Sequence, residues 1–301
     1  MSKRSPIVLF TYLRLEALKL TVNALVANHG ASESELIIFS DGPKYTHDVA
    51  RVNEIRTYLK TIHGFKSVSI HESNYNKGLA ISIIQGVSIV LNEYPTAIVL
   101  EDDLITSNNF LAFMNASLNR FENYHEVTSI SGYAFDFSNM KSVDSDGYFL
   151  NRAWSWGWAT WSNRWQQIDW KITDYLDFEL NQKKVDEFAK LGSDVNKMLS
   201  ELITGTTDSW YIRFVYHQFK MKGLTYYPLI SKVNNNGFDA LATHNKGLKT
   251  RFITNFDLSE KCSFEFHTDI QINKEIQMAF LKKMSLKARL INRLTEFVFC
   301  D

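Results

Sequence analysis

Three consecutive acids, Glu101-Asp102-Asp103, follow directly on the apolar run Thr96-Ala97-Ile98-Val99-Leu100. Crowded carboxylates repel and raise one another's pKa, so nothing is gained by grouping them in water alone. The grouping becomes favourable with a divalent cation among the oxygens, and hard oxygen ligands suit Mg²⁺ or Mn²⁺. The same residues can instead form an acidic turn whose carboxylate caps a helix beginning near Asn108. Further on, Asp208 follows Thr206-Thr207 and opens a helical pattern through Trp210, Ile212, Phe214 and Val215. A carboxylate there can serve as a general base or as the N-cap of that helix. The two roles are compatible, because a helix N-terminus keeps such a group ionised and oriented.

The elements that position these groups alternate through the first half. Ile7-Phe10 reads as a strand, and Leu15 to Asn28 as a helix with Leu18, Val22, Leu25 and Val26 on one face. Leu36-Phe39 is the next strand, Asp41-Gly42-Pro43 a turn, and 47–62 an amphipathic helix through Val49, Val52, Ile55 and Leu59. Val68-Ile70, a helix over Leu79-Leu91, the strand Ala97-Leu100, a helix over Phe110-Phe121 and the strand Val127-Ser131 complete the series. Such alternation implies right-handed crossovers and an α/β fold, a mostly parallel sheet with helices on both faces. Ligands of such sheets bind outside the carboxyl ends of the strands. Three of those ends are polar or charged here: Thr11 with Arg14, Ser40-Asp41, and Glu101-Asp102-Asp103.

The alternation stops near Tyr148, and six of the seven tryptophans then fall between Trp154 and Trp170. Aromatic crowding of this kind is commonly core. An extended Trp154-Ser155-Trp156-Gly157-Trp158, however, cannot point every ring inward, so some rings are expected to line a cleft and stack on a sugar or base. Gly157 would let backbone approach closely there. Helical patterns return over about 182–203 and 208–222. From Lys274 to Phe299 an amphipathic basic tail interleaves Lys282, Lys283, Lys287, Arg289 and Arg293 with Met284, Leu286, Leu290, Ile291 and Leu294. It suits either an anionic membrane surface or packing on its own domain with solvated lysines.

Bulk composition excludes several classes. The 301 residues are enough for a substantial core, with 45% hydrophobic and 22% charged residues. Lys+Arg and Asp+Glu both number 33, so no net field supports nucleic-acid binding. Cys262 and Cys300 supply neither a disulfide framework nor a zinc site, as expected of a reducing compartment. Met1 to Pro6 runs straight into a strand without a signal peptide, and no apolar stretch approaches the roughly 20 residues of a membrane span. A cytoplasmic protein with at most peripheral membrane contact is therefore expected.

Taken in order, a set of short segments resembles one family. These are Ile38-Phe39-Ser40-Asp41-Gly42, Asn76-Lys77-Gly78-Leu79, Ile98-Val99-Leu100-Glu101-Asp102-Asp103, Ser155-Trp156-Gly157-Trp158-Ala159-Thr160-Trp161, Asp208-Ser209-Trp210 and Gly237 to Thr243-His244. The chain resembles GT-A-fold glycosyltransferases of bacterial surface-polysaccharide synthesis and, more distantly, the N-acetylglucosaminyltransferase I type, from Pro6 to about His244. The resemblance implies a Rossmann-like fold and a DxD-type motif in which Asp103 binds Mn²⁺ or Mg²⁺ bridging a nucleotide diphosphate. Asp102 and Glu101 would then touch ribose or metal waters. Ser40-Asp41 would bind the base, with Thr11 and Arg14 near the nucleotide. Asn76-Lys77-Gly78 precedes a helix whose amides could serve phosphate, with Lys77 either joining them or remaining a surface lysine. Asp208 would be the catalytic base of an inverting transfer. His244 would stand near the diphosphate or be structural, and Trp156 and Trp158 would shape the sugar pocket. Asn234-Asn235-Asn236-Gly237 looks like a loop closing over the donor. Ala240-Leu241-Ala242 departs from the small glycine-containing residues usual there.

The implied activity is sugar transfer from a nucleotide diphosphate sugar to a saccharide or lipid-linked saccharide in capsule, O-antigen or exopolysaccharide synthesis. Residues 1–150 would form the donor half, 151–250 the acceptor and base half, and 251–301 a C-terminal extension. A catalytically silent partner of the same fold is the alternative from another class. A sugar-phosphate nucleotidyltransferase needs a glycine-rich loop after the first strand, and Phe10-Thr11-Tyr12-Leu13-Arg14 has no glycine. A Rossmann dehydrogenase fails because no GxGxxG follows any strand.

Overall fold

The computed structural model describes residues 4–137, 145–237 and 252–291. Its strands are β1 (Ile7–Thr11), β2 (Glu35–Ser40), β3 (Ser67–Glu72), β4 (Thr96–Glu101), β5 (Leu104–Thr106), β6 (Val127–Ser131), β7 (Gly147–Leu150), β8 (Trp158–Trp161), β9 (Leu224–Pro228) and β10 (Val233–Asn235). The helices are α1 (Leu15–Val26), α2 (Val49–Leu59), α3 (Leu79–Glu93), α4 (Phe110–Arg120), α5 (Ser162–Trp165), α6 (Tyr175–Glu179), α7 (Gln182–Ala189), α8 (Val195–Ile203), α9 (Trp210–Lys220) and α10 (Lys274–Lys283). Eight strands form one sheet in the order β3-β2-β1-β4-β8-β6-β9-β7, and β10 pairs with β5 separately. The β3-β2-β1-β4 portion is parallel throughout, while β8 enters antiparallel between β4 and β6. This is the mostly parallel, helix-flanked α/β sheet expected from the alternation.

Strand parity sorts the core into two layers. Ile7, Leu9, Leu36, Ile38, Ile98 and Leu100 face α1, α2, α4 and α10. Val8, Phe10, Ile37, Ala97 and Val99 face α3 and α5–α9. Successive residues point to opposite faces, so a strand covered on both sides reads as an unbroken apolar run, as β1 and β4 do. The chain winds from β1 outward through β2 to β3, then crosses back to lay β4 on the other side of β1. The direction of winding therefore reverses between β1 and β4, and a crevice opens at their carboxyl ends.

Three details differ from the sequence expectations. The helix expected over 182–203 is broken into α7 and α8. Buried Arg152 donates to Leu191 O (3.3 Å) and to both Asp194 oxygens (2.8 and 3.1 Å), which holds the intervening turn. Val26 and Val49, assigned to inner faces, are exposed at 39% and 41%. Between the acids and α4 lies β5, so the triplet caps no helix, and Asn109 is the residue preceding α4. The tail helix α10 packs on its own domain through buried Ile276, Phe280 and Met284, one of the two placements its pattern allowed, while Asn292 and the residues beyond it lie outside the described residues. No helix of the described residues is long and apolar enough to cross a membrane.

Candidate active site

At the reversal point lies a cavity of about 330 Å³, lined by residues from every strand end that the sequence singled out. From the β1–α1 turn come Thr11, Tyr12, Leu13 and Arg14; from the β2 end, Asp41 and Lys44; from the β4 end, Glu101, Asp102 and Asp103. Gly78, Leu79 and Ser82 bring the first turn of α3 onto the wall, and Gly237 closes it beyond β10. Phe10 and Phe39 form an apolar wall, stacked at 5.3 Å.

The three acids have different surroundings. Asp102 is spent on the framework: Oδ2 accepts from Thr11 Oγ1 (2.9 Å) and Tyr12 N (3.2 Å), and Oδ1 from Arg14 Nη2 (3.2 Å). Its backbone carbonyl accepts from Thr21 of α1 at 2.9 Å, which ties the triplet to the helix after β1. Burial is the main cause raising the Asp102 carboxyl to about 6, opposed by Arg14. Asp103 Oδ2 accepts from Arg14 Nη2 at 2.7 Å. Glu101 is the least buried of the three, and burial followed by the charges of Asp103 and Asp102 pushes it up to about 8. One guanidinium thus faces three carboxyls on the cavity wall.

That excess of acid fits a hard cation. Among the described residues no three His, Cys, Asp or Glu side chains converge into a ready-made cage. Mg²⁺-like ions, however, are usually held by one or two carboxylates, with substrate phosphate and water completing the shell. Glu101 and Asp103, the two acids not tied by backbone or hydroxyl donors among the described residues, are the carboxylates suited to that role.

Asp41 is occupied in a way its position at a strand end did not foretell. Its carboxylate accepts from Gly42 N (2.9 Å), Lys77 N (2.9 Å), Gly78 N (3.1 Å) and Asn76 Nδ2 (3.1 Å). It therefore anchors the 76–78 turn to β2, and Gly78, at φ +78, delivers the chain into α3. Ser40 lies behind the wall, its Oγ facing Arg56 Nε at 3.4 Å. Arg56 also donates to Ser73 O (2.6 Å) and Asp41 O (3.5 Å), closing the carboxyl ends of β2 and β3. Lys77 points its ammonium at Gln85 Oε1 (3.0 Å) and does not line the cavity.

Tyr12 and Lys44 are among the wall residues that the sequence did not single out. Tyr12 donates its hydroxyl to Asp48 Oδ2 (2.9 Å) and accepts from Lys44 N (3.0 Å), which fixes both the ring and the loop that carries Lys44. Burial is the first cause pushing its hydroxyl up to about 12. Lys44 is the second basic residue on the wall beside Arg14. Both follow the rule that strand carboxyl ends build the site, but a tyrosine and a loop lysine carry no spacing signal of their own.

The tryptophans are a correction. Trp154, Trp156 and Trp158 are all buried, and none lines the cavity. Gly157, at φ +60, breaks the extended alternation. Trp154 and Trp156 then enter the layer with Tyr133 and Phe135, while Trp158 stacks on Trp165 and Trp210 in the other layer. Asp208 does not cap α9, because that place is held by Ser209, whose Oγ accepts from Ile212 N at 3.4 Å. The Asp208 side chain is 53% exposed, accepts from Arg213 Nη1 at 2.7 Å, and is not on the cavity wall. His244, with Ala240 to Ala242, lies outside the described residues.

No family model matches the chain, and no curated protein matches it. Among solved structures it is similar to a mannosyltransferase, PcManGT, from Pyrobaculum calidifontis in complex with GDP-Man and Mn²⁺, at 12% identity and TM-score 0.31 over 42% of this chain and 34% of that one. S. aureus TarS gives 10% identity and TM-score 0.36 over 52% of this chain and 28% of that one. A protein from Desulfovibrio desulfuricans described as a nucleotide-diphospho-sugar transferase gives 14% identity and TM-score 0.34, covering 64% and 77%. The matched part is about a third or less of the first two proteins. Similarity at these TM-scores decides nothing about activity.

Proposed function

We propose that the chain is a metal-dependent, inverting glycosyltransferase of GT-A fold that uses a nucleotide diphosphate sugar. One observation carries the reading: the cavity at the sheet's reversal point sets an acid cluster against Arg14 and Lys44, beside an apolar wall of Phe10 and Phe39. An acid-rich patch with cationic neighbours suits a diphosphate bound through a cation, and the aromatic wall suits a base or sugar face. The ordered motifs from Ile38 to His244 point the same way. Glu101 and Asp103 would hold Mn²⁺ or Mg²⁺, which would supply Lewis-acid neutralisation of the departing diphosphate. Arg14, Lys44 and the amides at the start of α3 add charge and donors for the phosphates. Tyr12, fixed through Asp48, offers a ring to the nucleoside. Asp41, itself on the wall, would act by holding the 76–78 turn through its carboxylate. Asp208, just outside α9, would take the proton of the acceptor hydroxyl.

On this reading residues 1–150 hold the donor and 151–250 bring the acceptor and base, with 251–301 as an extension. The acceptor would be a saccharide, free or lipid-linked, in surface-polysaccharide synthesis at the inner face of the cytoplasmic membrane. Leu286 and Leu290, 63% and 59% exposed beside Lys287 and Arg289, suit peripheral contact with an anionic bilayer.

A panel of nucleotide sugars screened by thermal shift with and without Mn²⁺ tests the proposal. A bound donor raises the melting temperature by mass action, and one sugar nucleotide should do so only with the ion present. Release of diphosphate from that donor in the presence of Mn²⁺ should follow. A chain that binds the donor but releases nothing is the silent-partner alternative, and one that binds none is no glycosyltransferase.

A further inference from the structure

Arg14 already holds one of the two carboxylates suited to a divalent ion, Asp103, together with its neighbour Asp102. Its Nη2 lies 2.7 Å from Asp103 Oδ2 and 3.2 Å from Asp102 Oδ1, with side chains only 16%, 9% and 7% exposed. A guanidinium stays protonated at any physiological pH, so it cannot yield the site by losing its charge. An ion bound to Asp103 would share an oxygen neighbourhood with a fixed positive charge, and at such distances inside a cavity that repulsion is substantial. That crowding is relieved when a further anion enters or when the guanidinium moves.

The surroundings supply for such a move what a purely structural arginine would lack. Asp102 remains held by Thr11 Oγ1 and Tyr12 N when Arg14 is elsewhere, so the acid cluster need not collapse. Arg14 stands at the turn between β1 and α1, on the cavity wall, where its planar fork can serve carboxylate or phosphate equally well.

We infer that Arg14 is an exchangeable counter-ion. Without donor it neutralises Asp102 and Asp103 and holds the divalent ion off; with donor it transfers to the diphosphate oxygens and leaves Asp103 to the ion. Metal and nucleotide then bind interdependently, each raising the affinity for the other by the same factor. The inference rests on the metal-dependent reading above and adds its order of assembly.

The test is a Mn²⁺ titration read by electron paramagnetic resonance of the free ion, on the wild type and on Arg14→Met. Preformed Mn²⁺–UDP and Mn²⁺–GDP are titrated in parallel by calorimetry. Removing the competing charge should let Arg14→Met bind Mn²⁺ alone about tenfold more tightly. The same variant should bind the preferred Mn²⁺–nucleotide complex at least tenfold more weakly. Arg14→Lys, which keeps a charge, should bind Mn²⁺ alone as weakly as the wild type. Arg14→Gln is carried through the same titration if the Met variant does not fold. Mn²⁺ affinity unchanged or lowered in the neutral variants overturns the exchange while leaving metal dependence standing. Failure of the wild type to bind Mn²⁺ with either nucleotide overturns the metal-dependent reading itself, and the exchange with it.

Discussion

Gly237 lies directly against the Asp103 carboxylate: a Cβ at Gly237 would overlap Asp103 Oδ2, standing 2.7 Å from Cγ and 3.0 Å from Arg14 Nη1. The approach is built from both sides. β10 pairs antiparallel with β5, and Asn236 N donates to Asp103 O at 2.8 Å, folding the chain back over the acids. Gly237 N is in turn held by Asn235 Oδ1 at 2.7 Å. A single methyl at this position must therefore displace the carboxylate, the arginine or the strand end. Gly237→Ala is expected to weaken Mn²⁺-dependent donor binding by about tenfold or more while costing about 1–3 kcal/mol of stability through overpacking. Calorimetry with donor and a denaturant melt separate the two effects, and unchanged donor affinity would show that Asp103 can move freely.

Asp102 and Asp103 are adjacent, yet their replacement should fail in different ways. Asp102 holds Thr11, the Tyr12 amide and Arg14, so Asp102→Ala strands buried donors and a buried charge. Breaking such a buried pair costs about 3–5 kcal/mol, which a urea melt should register directly. Asp103 has Arg14 as its side-chain partner, and Arg14 keeps Asp102 when Asp103 is removed. Asp103→Ala is thus expected to lose turnover with little loss of stability. Equal destabilisation by both variants would make Asp103 a framework residue and remove it as the proposed ligand.

Much of this site could be read in advance because the rules behind it are local. β1 and β4 are buried on both faces and read as continuous apolar runs, so their ends, and hence Thr11, Arg14 and the acids, could be placed by counting. What escaped depends on partners distant in the chain. Nothing near Asp41 announces that Lys77 N and Gly78 N will saturate it. Lys44 is an unremarkable loop lysine until Tyr12 fixes its backbone in the wall. The tryptophan segment misled because a strand period was applied across Gly157, where a left-handed residue sends Trp156 and Trp158 into opposite layers. The break after α7 was equally hidden, since Arg152 imposes it from another part of the fold.

Asp41 offers a direct test of its role in holding the wall together. Its oxygens accept from three backbone amides and the Asn76 side chain. An asparagine must turn an NH₂ toward one pair of these donors. The mismatch should cost about 1–3 kcal/mol, concentrated in the 76–78 turn. Asp41→Asn is expected to raise the KM for the donor several-fold with a small change in kcat, and to speed hydrogen exchange at Lys77 and Gly78. A loss confined to discrimination between nucleobases, with those amides still protected, would return Asp41 to base recognition.

Asp208 can be tested without assuming where the acceptor sits. Its carboxylate is half exposed and paired with Arg213, while Ser209 does the capping of α9. Asp208→Asn should therefore leave stability within about 0.5 kcal/mol, as for a surface change. Loss of a general base typically costs about 10²–10⁴-fold in rate, and donor affinity should stay as it was. Transfer at near wild-type rate would show that another group accepts the proton.

His217 contributes acid sensitivity to the fold. It lies on α9, 8% exposed, and burial first, then the charge of Lys220, lowers its pKa to about 4, against a small opposing effect of Asp169. The unfolded chain, with a histidine near 6.5, binds the proton more readily than the fold does. Between about pH 6.5 and 4 unfolding therefore takes up a proton at this group, so its contribution to stability is full above that window and falls as pH drops through it. The loss approaches about 3 kcal/mol at the low end if the whole shift is expressed. In urea melts at pH 7.5, 6 and 5, His217→Gln should lose less stability than the wild type, or gain more, as the pH falls. An equal slope in the variant would assign the acid sensitivity to the carboxylates.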